Sequence, residues 1–327
     1  MELVKRALWS SKFARIQSLG IIVAVAVLAI APQFMSAYKP LFLAYVMSYC
    51  AMSVSWAFFS GKTGYISLAT GGFYGLGMYI EATLGHAGVP MPVVMVISAI
   101  ASFGLAYGIG LVTLRLRGVY FTIFTFGLAL FMNKVVHWYE TAFLHAKGHM
   151  VKALAGGNGV LLLYTLAVFA IVMFAVILLN KSRFGLALDC IGQNEDSAQH
   201  VGVNTVFSKV TAFAISAAPV GAIGAVMSTK AGYIDPDMSF NMLVCFLPVL
   251  MAIFGGMQSL YGPIVGAVVF YALRDWLLVH MPTQNMIVFG VIMVIVVLLL
   301  PKGLFGIIEK VIARRNRGSG GEVIGDV

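Results

Sequence analysis

Leu161-Leu-Leu-Tyr-Thr-Leu-Ala-Val-Phe-Ala-Ile-Val-Met-Phe-Ala-Val-Ile-Leu-Leu179 runs for 19 residues without a charge. As a helix it spans about 29 Å at 1.5 Å per residue, close to the hydrocarbon thickness of a bilayer. The composition follows the same pattern: 61% of the 327 residues are hydrophobic and only 10% are charged. A soluble domain carries roughly 45–50% apolar and about 25% charged residues. Mean hydropathy is +0.96. These values exclude a water-soluble enzyme, a nucleic-acid-binding protein and a disordered chain. The net charge of +9 then reads as basic loops beside a membrane rather than as a DNA-binding surface.

Outward from Leu161–Leu179, further spans fall at Leu41–Phe59, Pro92–Leu114, Gly118–His137, Val210–Met227 and Met242–Phe254. Leu19–Phe34 and Met286–Leu300 flank these, and two Gly-rich stretches, Tyr65–Leu84 and Pro263–Val279, bring the expected count to ten. The count falls to eight if the two Gly-rich stretches re-enter instead of crossing. With the N-terminus inside, 15 of the 21 basic residues lie on the inner side, from Lys5 through Lys62, Arg115, Arg183 and Lys209 to Arg317. Six lie outside: Lys39, Lys134, Lys147, Lys152, Lys230 and Arg274. This is the bias of positive-inside orientation. The first apolar stretch reads as an uncleaved helix. Residues 1–311 form one membrane domain, with an inner loop over about 180–209, and 312–327 read as a basic, then Gly-rich disordered tail.

Little in the chain suggests catalysis. Gly61-Lys62-Thr63 ends like a phosphate loop, but position 56, which such a loop needs as Gly, is Trp56. His145 and His149 flank Lys147, which repels a cation, and no HExxH occurs, so that segment reads as a solvated outer loop. Cys50, Cys190 and Cys245 are too far apart for a CxxC site and read as reduced thiols. His86, His137, His200 and His280 fall at membrane boundaries. Glu81, Arg274 and Asp275 lie toward outer ends of spans, where they either act within the membrane or reach its surface. Gly61–Gly64 and Gly255-Gly256 each follow an apolar span and precede a Gly-rich one, a faint internal similarity of the kind transporters show.

The inner loop Arg183-Phe-Gly-Leu-Ala-Leu-Asp-Cys-Ile-Gly-Gln-Asn-Glu-Asp-Ser-Ala-Gln-His-Val-Gly202 is more informative. Asn194 is a good N-cap, Glu195 and Asp196 follow where the helix dipole favours acid, and Gly202 is a natural stop. These signals predict a short helix over about Glu195–Val201 on the inner face.

That loop resembles the coupling segment of ABC-importer permeases, specifically the branched-chain amino acid permease family of the LivM type. Six further stretches resemble the family in order. They are Gly61–Tyr79, Arg115-Leu-Arg-Gly-Val-Tyr-Phe121, Leu154-Ala-Gly-Gly-Asn-Gly159, Gly232-Tyr-Ile-Asp-Pro-Asp237, Gly255-Gly-Met-Gln-Ser-Leu-Tyr-Gly-Pro263 and Pro301-Lys-Gly-Leu-Phe-Gly306. Together they cover residues 40–306. The chain departs from the family at several positions. Gly192 and Gln193 stand where the family more often has Arg and an acid. Asp189-Cys190 replaces small apolar residues, Gln258 a Gly, and Tyr261 an aromatic that is commonly Trp.

The resemblance implies an all-α integral membrane protein, the permease subunit of an ATP-driven importer in a bacterial inner membrane, with both termini cytoplasmic. It implies two cytoplasmic ATP-binding subunits, a second permease and a periplasmic solute-binding protein as partners. No cofactor, catalytic residue, metal or nucleic acid is expected for this chain. The solute is expected to be a branched-chain amino acid, although the family also serves urea, short amides and aromatic or other small carboxylates. Coupling to the ATPases is expected through Arg183, Gly185, Gly192, Asn194, Glu195, Asp196, Ala198 and Gly202. Ser67, Thr70, Gly71, Gly72, Gly75 and Gly77 are expected at the translocation path or permease interface, and Asp235, Asp237 and Arg274 where the binding protein docks.

Overall fold

The structure, a computed structural model, describes residues 38–116, 118–145, 148–284, 287–292 and 294. Its helices, in chain order, are α1 Tyr38–Thr63, α2 Thr70–His86, α3 Met91–Thr113, α4 Val119–Tyr139, α5 Gly157–Lys181, α6 Arg183–Gln193, α7 Glu195–His200, α8 Thr205–Ala231, α9 Pro236–Ser239, α10 Met242–Gly255 and α11 Gly262–His280. A π-helical turn, Glu140–Leu144, extends α4. Two short strands, β1 His149–Met150 and β2 Tyr233–Ile234, pair antiparallel, with His149 opposite Ile234.

Seven segments among the described residues are long and apolar enough to cross a membrane, where ten were expected. Leu19–Phe34 lies outside the described residues, and of Met286–Leu300 only 287–292 and 294 are described, all helical. The third expected span, Tyr65–Leu84, is not one continuous helix. Residues 64–69 are non-helical, and the 17-residue α2 takes over at Thr70. The other Gly-rich stretch forms the unbroken 19-residue α11 and does not re-enter. The tail at 312–327 lies outside the described residues.

The ends of the helices sort into two sets. Lys62 bonds Asp189, and Lys209 bonds the Leu114 carbonyl, so one end gathers residues around 62, 114, 189 and 209. At the other end Lys230 bonds Asn158, Asn133 bonds the Pro236 carbonyl, and β1 meets β2. Lys62, Lys209 and the neighbouring Arg115, Lys181 and Arg183 make the first set the basic end.

Small residues govern how the bundle closes. In α3 the buried positions Val94, Ser98, Ser102, Ala106 and Gly110 recur every four residues. This stripe faces α8, whose Ala- and Gly-rich length is almost wholly buried. A Cβ on Gly77 of α2 would run into the Gly221 carbonyl of α8, so the α2–α8 crossing depends on the missing side chain. The outer flanks are apolar and exposed: Val96, Ile100 and Val112 on α3, and Tyr120, Ile123 and Phe131 on α4. Lipid would cover these faces, which is why no alternation of polar and apolar residues marks them.

Candidate functional site

The basic end is built from local capping signals. Ser182 Oγ accepts from Gly185 N to start α6, Asn194 Oδ1 accepts from Ser197 N (2.9 Å) to start α7, and Asn204 Oδ1 accepts from Phe207 N (3.1 Å) to start α8. The expected inner loop over 180–209 is therefore largely two helices. Residues 183–193, read as irregular from sequence, form α6 with Gly185, Leu188 and Ile191 buried. α7 ends at His200, and Gly202 adopts a positive φ of 87° just beyond.

Among the expected coupling residues, Arg183, Asn194 and Asp196 are exposed, Ala198 is buried, and Gly185 packs against the last turn of α5. Gly192 lies against the Lys62 carbonyl, where a Cβ would overlap the backbone of α1. Glu195 turns inward. Its Oε1 takes a hydrogen bond from Lys209 Nζ at 2.5 Å, and its Oε2 takes one from the Tyr65 hydroxyl at 2.6 Å. Lys209 is 2% exposed and also donates to the Tyr65 oxygen (3.1 Å) and to the Leu114 carbonyl (3.2 Å). Its ammonium sits 4.5 Å from the Tyr65 ring centre. A buried lysine is tolerable only with its charge and donors met, and here Glu195 of α7, Leu114 just after α3 and Tyr65 meet them together.

Tyr65 opens the non-helical segment. Non-helical backbone inside a bundle must find substitutes for the helical ladder. Trp56 Nε1 donates to the Ser67 carbonyl at 2.7 Å, Thr122 Oγ1 donates to the Ile66 carbonyl at 2.9 Å, and Thr125 Oγ1 accepts from Leu68 N at 3.0 Å. Side chains of α1 and α4 thus hold the segment from both sides.

The expected path residues are buried in packing contacts. Gly71 lies against Cys245 and the Asn241 carbonyl, Gly72 against Met132 and Ala129, and Gly75 against the Phe240 ring. Ser67 and Thr70 line a void of about 10 Å³, room for one water at most.

At the opposite end Glu81, for which a place within the membrane and a reach to its surface were both open, is buried and accepts from Ser228 Oγ at 3.0 Å. The loop around His145 and His149 is not simply solvated. Glu140 is 1% exposed, accepting from the Tyr79 hydroxyl (2.9 Å) and Gly148 N (3.1 Å), with His149 Nε2 3.5 Å away. Among the described residues no group of three or more His, Cys, Asp or Glu is placed to hold a metal ion. Of the expected docking residues, Asp235 caps α9, Asp237 accepts from Asn133, and Arg274 lies beside the Tyr49 hydroxyl.

The sequence reading missed Lys209 and Tyr65. Lys209 was counted only as one inner-side charge, and its partners lie 14 and 144 residues away. The available signal was a lysine directly abutting an apolar span with no local acid to pair with.

A bundle of membrane-spanning helices with a capped, ion-paired helix pair at its basic end defines an α-helical membrane permease. The chain belongs to the family described as branched-chain amino acid transport system / permease component, whose pattern matches residues 41–297. It is similar to the high-affinity branched-chain amino acid transport system permease protein LivM of Escherichia coli K12, at 25% identity over 92% of this chain and 78% of that protein. The LivM protein of Salmonella typhimurium LT2 is 25% identical over 86% of this chain and 74% of its own length.

Proposed function

We propose that the chain is the permease subunit of an ATP-driven importer for branched-chain amino acids, with its basic end in the cytoplasm. It works with a second permease, two cytoplasmic ATP-binding subunits and a periplasmic binding protein in a bacterial inner membrane. The observation that carries this reading is the buried Lys209, which ties Glu195 of α7 to Tyr65 at the head of the 64–69 segment. The names of the two LivM relatives support the solute, and the excess of basic residues at one end supports the orientation.

In this mechanism α7 seats in a groove of an ATP-binding subunit. Leu186 and Val201 are 64% and 81% exposed beside it, apolar surface that a partner would cover. Closure of the ATPases on ATP pushes α7. Glu195 transmits the displacement to α8 through Lys209 and to the 64–69 segment through Tyr65. That segment is the natural moving part, because from Ile66 to Leu68 its backbone is held by side chains of α1 and α4 and not by a helical ladder that would have to unwind. The bundle thereby toggles between two discrete packings.

The test is reconstitution of the complete importer in proteoliposomes, with leucine uptake and ATP hydrolysis measured together. Ala198 is 2% exposed, so Ala198→Trp should lever α7 from its seat and abolish both uptake and binding-protein-stimulated hydrolysis, while the chain still inserts. Full stimulation in that variant would remove the coupling role. Uptake of urea or an aromatic acid in place of leucine would replace the solute while leaving the mechanism standing.

A further inference from the structure

At the basic end, beside α7 but separate from the Lys209 cluster, lies a cavity of about 460 Å³ between the end of α1, α6 and the turn 256–261 that joins α10 to α11. This is within the usual size range of small-ligand sites. Lys62 and Asp189 lie in its wall, with Lys62 Nζ bonded to both Asp189 oxygens at 2.6 and 2.8 Å. The amides of Asn180, Gln193 and Gln258 line it as well. Val54, Phe58 and Val176 give it an apolar side. Asp189, Gly192, Gln193 and Gln258, four of the positions at which the chain departs from the pattern it resembles, all border this one cavity.

The charges restrict what fits. A free anion that approaches Lys62 meets Asp189, and a free cation meets Lys62. A ligand carrying both signs a few ångströms apart meets complementary charge at each end. Lys62 has three N–H donors and shares its ammonium between two oxygens, so donor capacity remains. The Asp189 carboxylate, whose side chain is 47% exposed, likewise has lone pairs left over. A zwitterion can therefore lie antiparallel to the existing ion pair and close a four-charge ring without breaking it.

We propose that this cavity is an inner-face binding site for a zwitterionic α-amino acid with an apolar side chain. The ligand carboxylate pairs with Lys62, its ammonium with Asp189, and its side chain packs on Val54, Phe58 and Val176. A molecule bound there staples α1 to α6 next to α7 and restrains the coupling helices, so imported solute that accumulates inside slows its own entry. This regulatory sense rests on the orientation and solute proposed above, whereas the chemistry of the site does not.

The experiment is direct binding of L-leucine to the full chain in lipid nanodiscs. Its amine analogue (3-methylbutylamine), its keto acid (4-methyl-2-oxopentanoate) and urea serve as comparison probes. Leucine should bind saturably. The amine and the keto acid, each lacking one charge, should bind at least about tenfold more weakly, as should leucine to Asp189→Asn or Lys62→Met. If those variants fail to fold, the reversed pair Lys62→Asp with Asp189→Lys keeps an ion pair but inverts its polarity. It should also lose about tenfold, because the ligand side chain then points away from the apolar wall. Equal binding by the neutralised or reversed variants, or urea binding as tightly as leucine, overturns the site. Leucine loaded inside importer vesicles should lower the initial uptake rate in the parent and not in Asp189→Asn; no effect in the parent overturns the regulatory sense. Binding at Lys62 and Asp189 by a chain whose importer carries no leucine would leave the site standing and refute the proposed solute instead.

Discussion

Lys209→Met isolates the joint at the basic end. Methionine fills nearly the same volume but supplies no charge and no donor. Glu195 then keeps the Tyr65 hydroxyl at 2.6 Å but loses its cation, and the Leu114 carbonyl loses the donor at 3.2 Å. Removing one partner of a buried pair costs about 3–5 kcal/mol. Glu195 is 15% exposed and keeps a route to water, so the low end applies, about 3 kcal/mol. At about 2 °C per kcal/mol for a chain of this size, the unfolding midpoint in detergent should fall by about 6 °C. Adding Glu195→Gln removes the carboxylate that has lost the Lys209 ammonium, and the double variant should recover to within about 1 kcal/mol of the parent. Uptake should not recover, because the link from α7 to α8 is still missing. The decisive comparison is single against double variant by thermal unfolding, alongside uptake and ATP hydrolysis of the reconstituted complex. Equal destabilisation of the two would show that no charge is stranded. A double variant that imports at the parental rate would show that the joint transmits nothing.

Trp56→Phe removes the donor to the Ser67 carbonyl inside the bundle, and should cost about 1–3 kcal/mol and loosen the 64–69 segment, read as faster amide hydrogen exchange at Ile66 and Leu68. Gly192→Ala drives a methyl into the Lys62 carbonyl and should cost at least about 1–3 kcal/mol in thermal unfolding; a neutral result would mean that α6 is not held against α1. Ser102→Ala should be neutral or stabilising by up to about 1 kcal/mol, because its buried hydroxyl has no hydrogen-bond partner in the α3–α8 seam. A clear loss of stability there would reveal an unseen partner, such as a water.

Whatever depended on neighbouring residues could be read from the sequence, and what depended on distant ones could not. The segment expected as Met242–Phe254 is the helix Met242–Gly255, because its length and apolarity are set within the segment. Asn194 as a cap was legible for the same reason, since its acceptor serves Ser197 three residues on. Tyr65–Leu84 looked like one span because hydropathy does not register that Trp56, Thr122 and Thr125 meet the Ser67 carbonyl, the Ile66 carbonyl and the Leu68 N–H of a non-helical segment. Glu81 could be read either as acting within the membrane or as reaching its surface, because Ser228, its buried partner, lies 147 residues away. α6 was missed because its buried Leu188 and Ile191 are diluted by glycines and charges, and contact with α1, α5 and α8 makes that face worth burying.

The propped segment at 64–69 also has a consequence for biosynthesis. Its carbonyl at Ile66 is met by a threonine made 56 residues later. At about 5–20 residues per second, translation takes about 3–11 s to cover that interval. During it the nascent chain has α1 and α2 in hand, but the Ile66 carbonyl and the Leu68 N–H between them still lack Thr122 and Thr125, and hydrocarbon disfavours such groups. The segment is therefore expected to stay in contact with water until α4 arrives, so that α1 to α4 pack together rather than one helix at a time.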